Sequence, residues 1–264
     1  MPTDVDKAEV VRAIGAERER TLALLRSLER AQWDLDTDLP GWRVREVVAH
    51  LLSTDKAAVN GTLALQVMRS TDKLERWNDR QVLKWADRSP TDLLLGLERW
   101  GRRFRRLARA VPGAVYRMPM RTMYGRGRAG LLLWARPFDE WVHRQDLRRA
   151  LAMPHEEADL APIAGFVLAT IPSATLPDVE ASGTVAIELE GVPLRPWAFD
   201  LGTRTVLDAA EADHADARIA VDGAQFVMTV GGRGSFAELE AEGALKVEGD
   251  RAPADGLLAK LRIV

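Results

Sequence analysis

The chain has 264 residues, 47% of them hydrophobic, enough for one large domain or two ordinary ones. Its 37 basic and 39 acidic residues leave a formal net charge of -2, which argues against the phosphate backbone of a nucleic acid as the main partner. With no cysteine, disulfides, thiolate metal sites and a protein-borne sulfur nucleophile are excluded, and any thiol chemistry must use a thiol brought in as a ligand.

The N-terminal Met1-Pro-Thr-Asp-Val-Asp-Lys lacks the basic and apolar stretches of a secretory signal. No run of about 18 apolar residues suggests a membrane span. The expectation is a cytoplasmic protein without membrane or nucleic-acid partners, monomeric or homodimeric.

The first 150 or so residues read as helix. Val10, Ile14, Leu22, Leu25 and Leu28 recur at helical spacings over residues 6–32, with charges between them. Asp38-Leu-Pro-Gly41 breaks the chain, and a second helix is expected over about 43–68. The segment 69–90, with Trp77, Val82 and Trp85, reads as a short helix or an irregular cap. A third long helix runs from Thr91-Asp92 to the stop at Pro112-Gly113. Within it Arg102, Arg103, Arg105, Arg106 and Arg109 read as a solvated face, with an anion-steering patch as the alternative. Met118 to Arg128, with three methionines and a tyrosine, reads as a loop, either packed or lying over a pocket. A fourth helix is expected over 128–151, and four long helices suggest a four-helix bundle.

Beyond about 158 the period changes. One helix (159–171) precedes alternating runs at Val185–Leu189, Trp197–Leu201, Ala217–Val221, Phe226–Val230 and Leu245–Asp250, and a last helix starts at Pro253. The expectation is two domains, a helical one over 1–154 and a smaller α+β one over 155–264.

Two helical segments carry the chemistry. In Trp42-Arg-Val-Arg-Glu-Val-Val-Ala-His50-Leu-Leu, His50 follows Val47 and precedes Leu51 and Thr54 on one stripe. In Phe138-Asp-Glu-Trp-Val-His143-Arg-Gln-Asp146, Asp139 and His143 lie four apart, about 40° around a helix, on the stripe of Phe138, Val142, Asp146 and Leu147. Glu140 falls on the side of Arg136 and Arg144. Phase favours Asp139 as a metal ligand and leaves Glu140 as its alternative, although Pro137 inside the helix could shift the phase. Imidazole nitrogen with carboxylate oxygen suits zinc first, then nickel, manganese or iron. Three protein ligands leave positions open for water or substrate. Asp146 is placed behind His143, fixing its tautomer. A lone histidine on an apolar stripe is usually a satisfied core residue; two histidines and two acids argue for an ion. His155 and His214 sit in polar surroundings and read as surface residues.

Pro40-Gly-Trp-Arg-Val-Arg-Glu-Val-Val-Ala-His50-Leu and Asp139-Glu-Trp-Val-His143-Arg-Gln-Asp146-Leu resemble two signatures of the mycothiol-dependent maleylpyruvate isomerase-like proteins. That family belongs to the DinB-like four-helix-bundle metalloproteins. Residues 159–264, through Gly231-Gly-Arg-Gly-Ser and Gly243-Ala-Leu-Lys-Val-Glu-Gly-Asp250, look like its C-terminal domain, related to sterol-carrier-protein-2 folds. The resemblance implies His50, Asp139 and His143 as metal ligands and mycothiol as the thiol cosubstrate. It also implies an enzyme that works on a small electrophile through a metal-held thiolate, by isomerase or S-transferase chemistry. A C-terminal arginine helps hold an acidic substrate in such proteins, and Arg233 is the candidate here. Two departures stand out. The family commonly has glutamate where Asp139 stands. Its usual Ser/Thr helix cap is Arg43, a loss of about 1 kcal/mol of capping that Glu46 can offset through the helix dipole. The competing expectation is a non-catalytic carrier of a small molecule or lipid with a structural or vestigial metal.

Overall fold

A computed structural model describes residues 6–63, 71–85, 87–122, 124–156, 159–208 and 210–263. The chain divides into two compact units, one formed by residues 6–122 and 128–156, the other by 124–127 and 159–263.

The first unit is helical. Helix α1 (Lys7–Arg26) starts at Asp6, whose carboxylate accepts the amide N–H of Ala8. Helix α2 (Val44–Val59) follows a 3-10 turn at Arg30–Asp34, and α3 spans Thr71–Leu83. The expected reach of the second helix to residue 68 falls partly outside the described residues. Helix α4 (Pro90–Ala110) has Pro90 in its first turn, and the Ser89 hydroxyl caps the Asp92 N–H. A short helix, α5 (Gly113–Tyr116), precedes α6 (Gly130–Ala150), which runs unbroken through Pro137. Helix α1 packs on α4 and α6, and α2 packs on the same two. Leu25, Val47, Val48, Leu51, Leu52, Leu93, Leu97 and Leu147 fill the space among them.

Charge is also buried here. Arg18 reaches Glu140 (2.6 Å) and Asp55 (2.8 Å), and Arg136 reaches Asp55 (2.8 Å) and Glu140 (2.9 Å). Two arginines and two carboxylates from α1, α2 and α6 thus form a closed, neutral quartet, the arrangement in which buried ions can be tolerated. Arg144, fully buried, pairs with Glu17 of α1 at 2.5 Å and with Glu156 at 3.0 Å. By contrast, the arginine-rich stretch of α4 is largely a solvated face: Arg102 pairs with Glu98, Arg103 lies over Trp100 and Arg105 nears Glu19.

The segment expected as a loop after Met118 instead contains two short strands, β1 (Pro119–Thr122) and β2 (Gly125–Arg128); Met123 lies outside the described residues. Gly125, the first residue of β2, has φ 84°, a conformation that glycine takes without a Cβ penalty.

The second unit combines helices with a five-stranded sheet. Helix α7 (Leu160–Ala174) leads to β3 (Thr184–Glu190), β4 (Trp197–Asp200), β5 (Thr205–Val206) and β6 (Ala217–Asp222). Then come α8 (Gly223–Val230), α9 (Phe236–Ala241), β7 (Leu245–Gly249) and α10 (Arg251–Leu258). The strand order is β5-β4-β3-β6-β7, with β3 and β6 parallel and the other pairs antiparallel. Val185, Ile187 and Leu189 pair in register with Ala217, Ile219 and Val221, so one face presents a continuous apolar surface to helices α8 and α10.

Phe226–Val230, expected as a strand, is helix α8. Asp222 caps it by accepting the Gln225 N–H at 2.8 Å, and Phe226, Val227, Met228 and Val230 are all buried. A short apolar run buried on every side carries no period that separates strand from helix. Leu160–Asp178 contains an 18-residue window that is long and apolar enough for a membrane span by length and composition only, a test that a core helix also passes, and 56% of that window is buried inside the protein.

Candidate metal centre

The approach to the site is built by Pro40-Gly41. The Trp42 N–H donates to the Leu39 carbonyl at 3.0 Å, and Gly41 has φ 76°. Proline followed by a residue of positive φ is the signature of a type II turn, and glycine takes that conformation without a Cβ penalty. Thr37 fastens the turn by donating its N–H and its hydroxyl to the Trp42 carbonyl, at 3.1 and 2.6 Å. The result is an indole held 5.2 Å from the His50 ring and 6.2 Å from the His143 ring. Arg43 stands at the N-cap of helix α2, but its side chain makes no cap. Instead the Glu46 carboxylate accepts the Arg43 N–H at 3.0 Å and two guanidinium contacts besides. The missing Ser/Thr acceptor is thereby offset by one half of a capping box.

His50 from α2 meets Asp139 and His143 from α6. Asp139 Oδ1 is 3.4 Å from His50 Nε2 and 3.5 Å from His143 Nε2, and the two rings lie 4.8 Å apart at 61°. One donor atom from each of the three residues falls within 4.8 Å of the others. Bonds of about 2.1 Å in tetrahedral arrangement separate donors by roughly 3.4 Å, so the residues fit a divalent ion without moving far. His50 and His143 are 6% and 8% exposed, whereas the Asp139 side chain is 28% exposed, so the centre opens on the carboxylate side.

The surroundings prepare each donor. His143 Nδ1 lies 3.0 Å from Asp146 Oδ2, and Asp146 is fully buried. A carboxylate there accepts the Nδ1 proton and leaves the Nε2 lone pair turned toward the cluster. Arg136 Nη1 donates to Asp139 Oδ2 at 3.3 Å, which leaves Oδ1 facing the imidazoles. Burial pushes His50 toward its neutral form, below the usual histidine range, although Asp139 pulls the other way. Burial also works against ionised Asp139, but the His50 and His143 imidazoles and the Arg136 guanidinium outweigh it, holding the carboxyl well below its usual range. A neutral imidazole and an ionised carboxylate are the forms that bind metals.

Of the residues singled out in sequence, His50, Asp139 and His143 come together with Asp146 directly behind His143. Glu140 does not join them. One residue on from Asp139 is about 100° around the helix, and both Glu140 oxygens are engaged in the quartet with Arg18 and Arg136. His155 and His214 are exposed. Arg233 belongs to the second unit, where its guanidinium donates to the Gly231 carbonyl. Sequence reasoning missed the roles of Arg136 and of Trp42 as a wall of the site. The available signal was the Arg136/Glu140/Arg144 ladder of alternating charge at i, i+4, on the side of the helix away from Asp139 and His143.

The fold and this cluster define a helical unit with a candidate divalent-ion centre, followed by a mixed-sheet unit. Residues 14–148, just over half of the chain, match the family described as the mycothiol maleylpyruvate isomerase N-terminal domain, and the chain belongs to that family. The crystal structure of the mycothiol-dependent maleylpyruvate isomerase is similar over 93% of this chain and 94% of its own, with a TM-score of 0.61 and 16% identity. That of a histidine-to-alanine mutant gives the same coverage and TM-score at 15% identity. At such identities the likeness is one of fold. No curated protein matches the chain in sequence.

Proposed function

We propose that the chain is a divalent-metal enzyme that uses a small thiol, mycothiol, to act on a small electrophilic substrate, by isomerase or S-transferase chemistry. In this reading α1, α2, α4 and α6 form a DinB-like four-helix bundle with His50, Asp139 and His143 as the metal ligands. The sheet unit is the sterol-carrier-protein-2-like domain of the family, with Arg233 as the candidate anchor for an acidic group on the substrate. The observation that carries the reading is the convergence of two imidazoles and one carboxylate, with one side open. A bound ion, zinc first and nickel, manganese or iron after it, would act as a Lewis acid that favours the thiolate form of an incoming thiol.

The chain's own residues do the rest. Asp146 fixes the His143 tautomer, and Arg136 restrains one oxygen of Asp139 so that the other faces the imidazoles. Trp42 shields the histidine side from water. The chain has no cysteine of its own to compete for the ion, which fits an external thiol. Asp139 is one methylene shorter than the glutamate common in the family, and the 3.4 and 3.5 Å separations indicate that the shorter acid still reaches both imidazoles.

The test is metal analysis of protein purified without chelators or immobilised metal, followed by cobalt substitution and titration with mycothiol or glutathione. One ion per chain and a visible spectrum perturbed by mycothiol are expected. Protein that holds no metal and takes up neither zinc nor nickel would sink the proposal. The carrier alternative has one observation in its favour: a cavity of about 400 Å³ in the sheet unit, lined in part by Phe236, Leu258, Leu261 and Arg262. A small molecule retained there through purification of metal-free protein would favour it.

A further inference from the structure

A second cavity, of about 280 Å³, lies in the helical unit between α2 and the segment from Gln81 to Arg88. Lys56, Lys84 and Arg88 line it, and no acidic side chain does among the described residues. In a chain with a net charge of -2, a concave site with three cations and no carboxylate is a local departure from the average. Low-dielectric walls focus the potential of such a cluster.

Three further observations make it a built site. Ser53, one of the residues lining the cavity, is 5% exposed, and its buried hydroxyl has no hydrogen-bond partner among the described residues. A buried hydroxyl left unpaired costs free energy that a ligand acceptor would recover. Lys56 is held in place by aromatic rings: its ammonium lies 5.2 Å from the Trp85 ring centre and 5.9 Å from that of Trp100. That arrangement fixes the cation's position without neutralising it as a carboxylate would. Lys84 donates to the neutral amide of Gln81 at 2.8 Å and keeps its charge for a ligand. Lys56 stands six residues beyond His50 on α2, about 9 Å along the helix. The cavity is therefore distinct from the cluster of His50, Asp139 and His143.

We propose that this cavity binds a small molecule through an oxyanion group, a phosphate or a carboxylate. The Ser53 hydroxyl donates to the oxyanion, Lys56, Lys84 and Arg88 balance its charge, and the Trp85 ring packs against the adjoining apolar part. The size suits a metabolite fragment rather than a peptide or a nucleic acid.

The test titrates the protein as purified with inorganic phosphate and, separately, with succinate, followed by calorimetry and by backbone amide shifts. Saturable binding of at least one anion is expected, with shifts centred on Ser53, Lys56 and Gln81–Arg88. Affinity should fall about tenfold or more in Lys56→Met and in the exposed pair Lys84→Ala/Arg88→Ala, and should be unchanged in His143→Ala. Binding of phosphate alone assigns a phosphate ester, and binding of succinate alone assigns a carboxylate. The proposal is overturned if neither anion saturates, or if binding survives in Lys84→Ala/Arg88→Ala with an unchanged melting temperature. Loss of binding in His143→Ala would overturn it too, by moving the anion to the histidine cluster.

Discussion

Asp139 and Glu140 are neighbours in sequence, and the structure gives them opposite surroundings that mutation can separate. Glu140 is 2% exposed and makes three close contacts with guanidinium groups, at 2.6 and 2.8 Å to Arg18 and 2.9 Å to Arg136. Replacing it with glutamine leaves the two buried arginines sharing Asp55, with only the longer Asp139 contact of Arg136 besides. Breaking a buried pair of this kind costs about 3–5 kcal/mol. For a chain of this size that corresponds to a fall of about 6–20 °C in melting temperature. Asp139 is partly open and its contacts are longer, at 3.3 Å to Arg136 and 3.4 and 3.5 Å to the two imidazoles, so Asp139→Asn should cost less than Glu140→Gln in metal-free protein. Its metal affinity should fall by about 100-fold or more, since an anionic donor is lost. The assay is thermal unfolding of both variants after chelation, so that bound metal does not add to stability, alongside zinc affinity measured against a chromophoric competitor. Glu140→Gln should melt earlier and, below its melting point, still bind one ion; Asp139→Asn should melt closer to wild type and bind the ion about 100-fold or more weakly. If the two variants exchange these behaviours, or behave alike, the separation of metal donor from structural acid is wrong.

Asp146→Asn should keep the fold and weaken metal binding about 10–100-fold, because the acceptor behind His143 loses its charge; unchanged affinity would remove Asp146 from the site's support. Gly101→Ala tests the quartet from outside. Alanine raises helix propensity by about 1 kcal/mol, but its Cβ would meet the Arg18 guanidinium, which Glu140 and Asp55 hold in place. A net loss of about 1–3 kcal/mol is expected by calorimetry, and a stabilised variant would show that Arg18 is free to move. In the sheet unit Asp216 accepts the Thr184 N–H at 2.8 Å and the Thr184 hydroxyl at 2.9 Å. The backbone and then the hydroxyl hydrogen bond hold its carboxyl below the usual range. Its contribution is therefore present above the unfolded value of about 4 and is lost as pH falls through the lower folded value. The stability gap between wild type and Asp216→Asn should be open at pH 7 and close on acidification; a gap independent of pH would refute the ionic origin.

Much of this was legible in the chain. Helical spacing located α1, α2, α4 and α6, because each turns a stripe of Val and Leu to a shared core and lies between strong stop signals. Pro40-Gly41 announced a turn because few residues take positive φ without strain. The phase of Asp139 and His143, four residues apart, brought them onto one face whatever they pack against. Period-two alternation found β3 and β6, whose two faces differ in burial. It failed at Phe226–Val230, where burial on all sides erases the difference between periods of 2 and 3.6, and the Asp222 cap decides for helix.

The sequence by itself determined which residues could share a helical face, that no internal thiol exists, and that His50 and Asp139/His143 lie on inward stripes. Tertiary structure alone decided that α2 and α6 lie side by side with those stripes facing, so that Nε2 and Oδ1 atoms nearly ninety residues apart come within 3.4 Å. It also decided that the Arg136/Glu140 side of α6 is buried too, because Arg18 and Asp55 arrive from other helices to neutralise it. Local periodicity records only the face that a helix turns inward. Which partner meets that face depends on contacts between residues far apart in the chain, and only the packed fold supplies them.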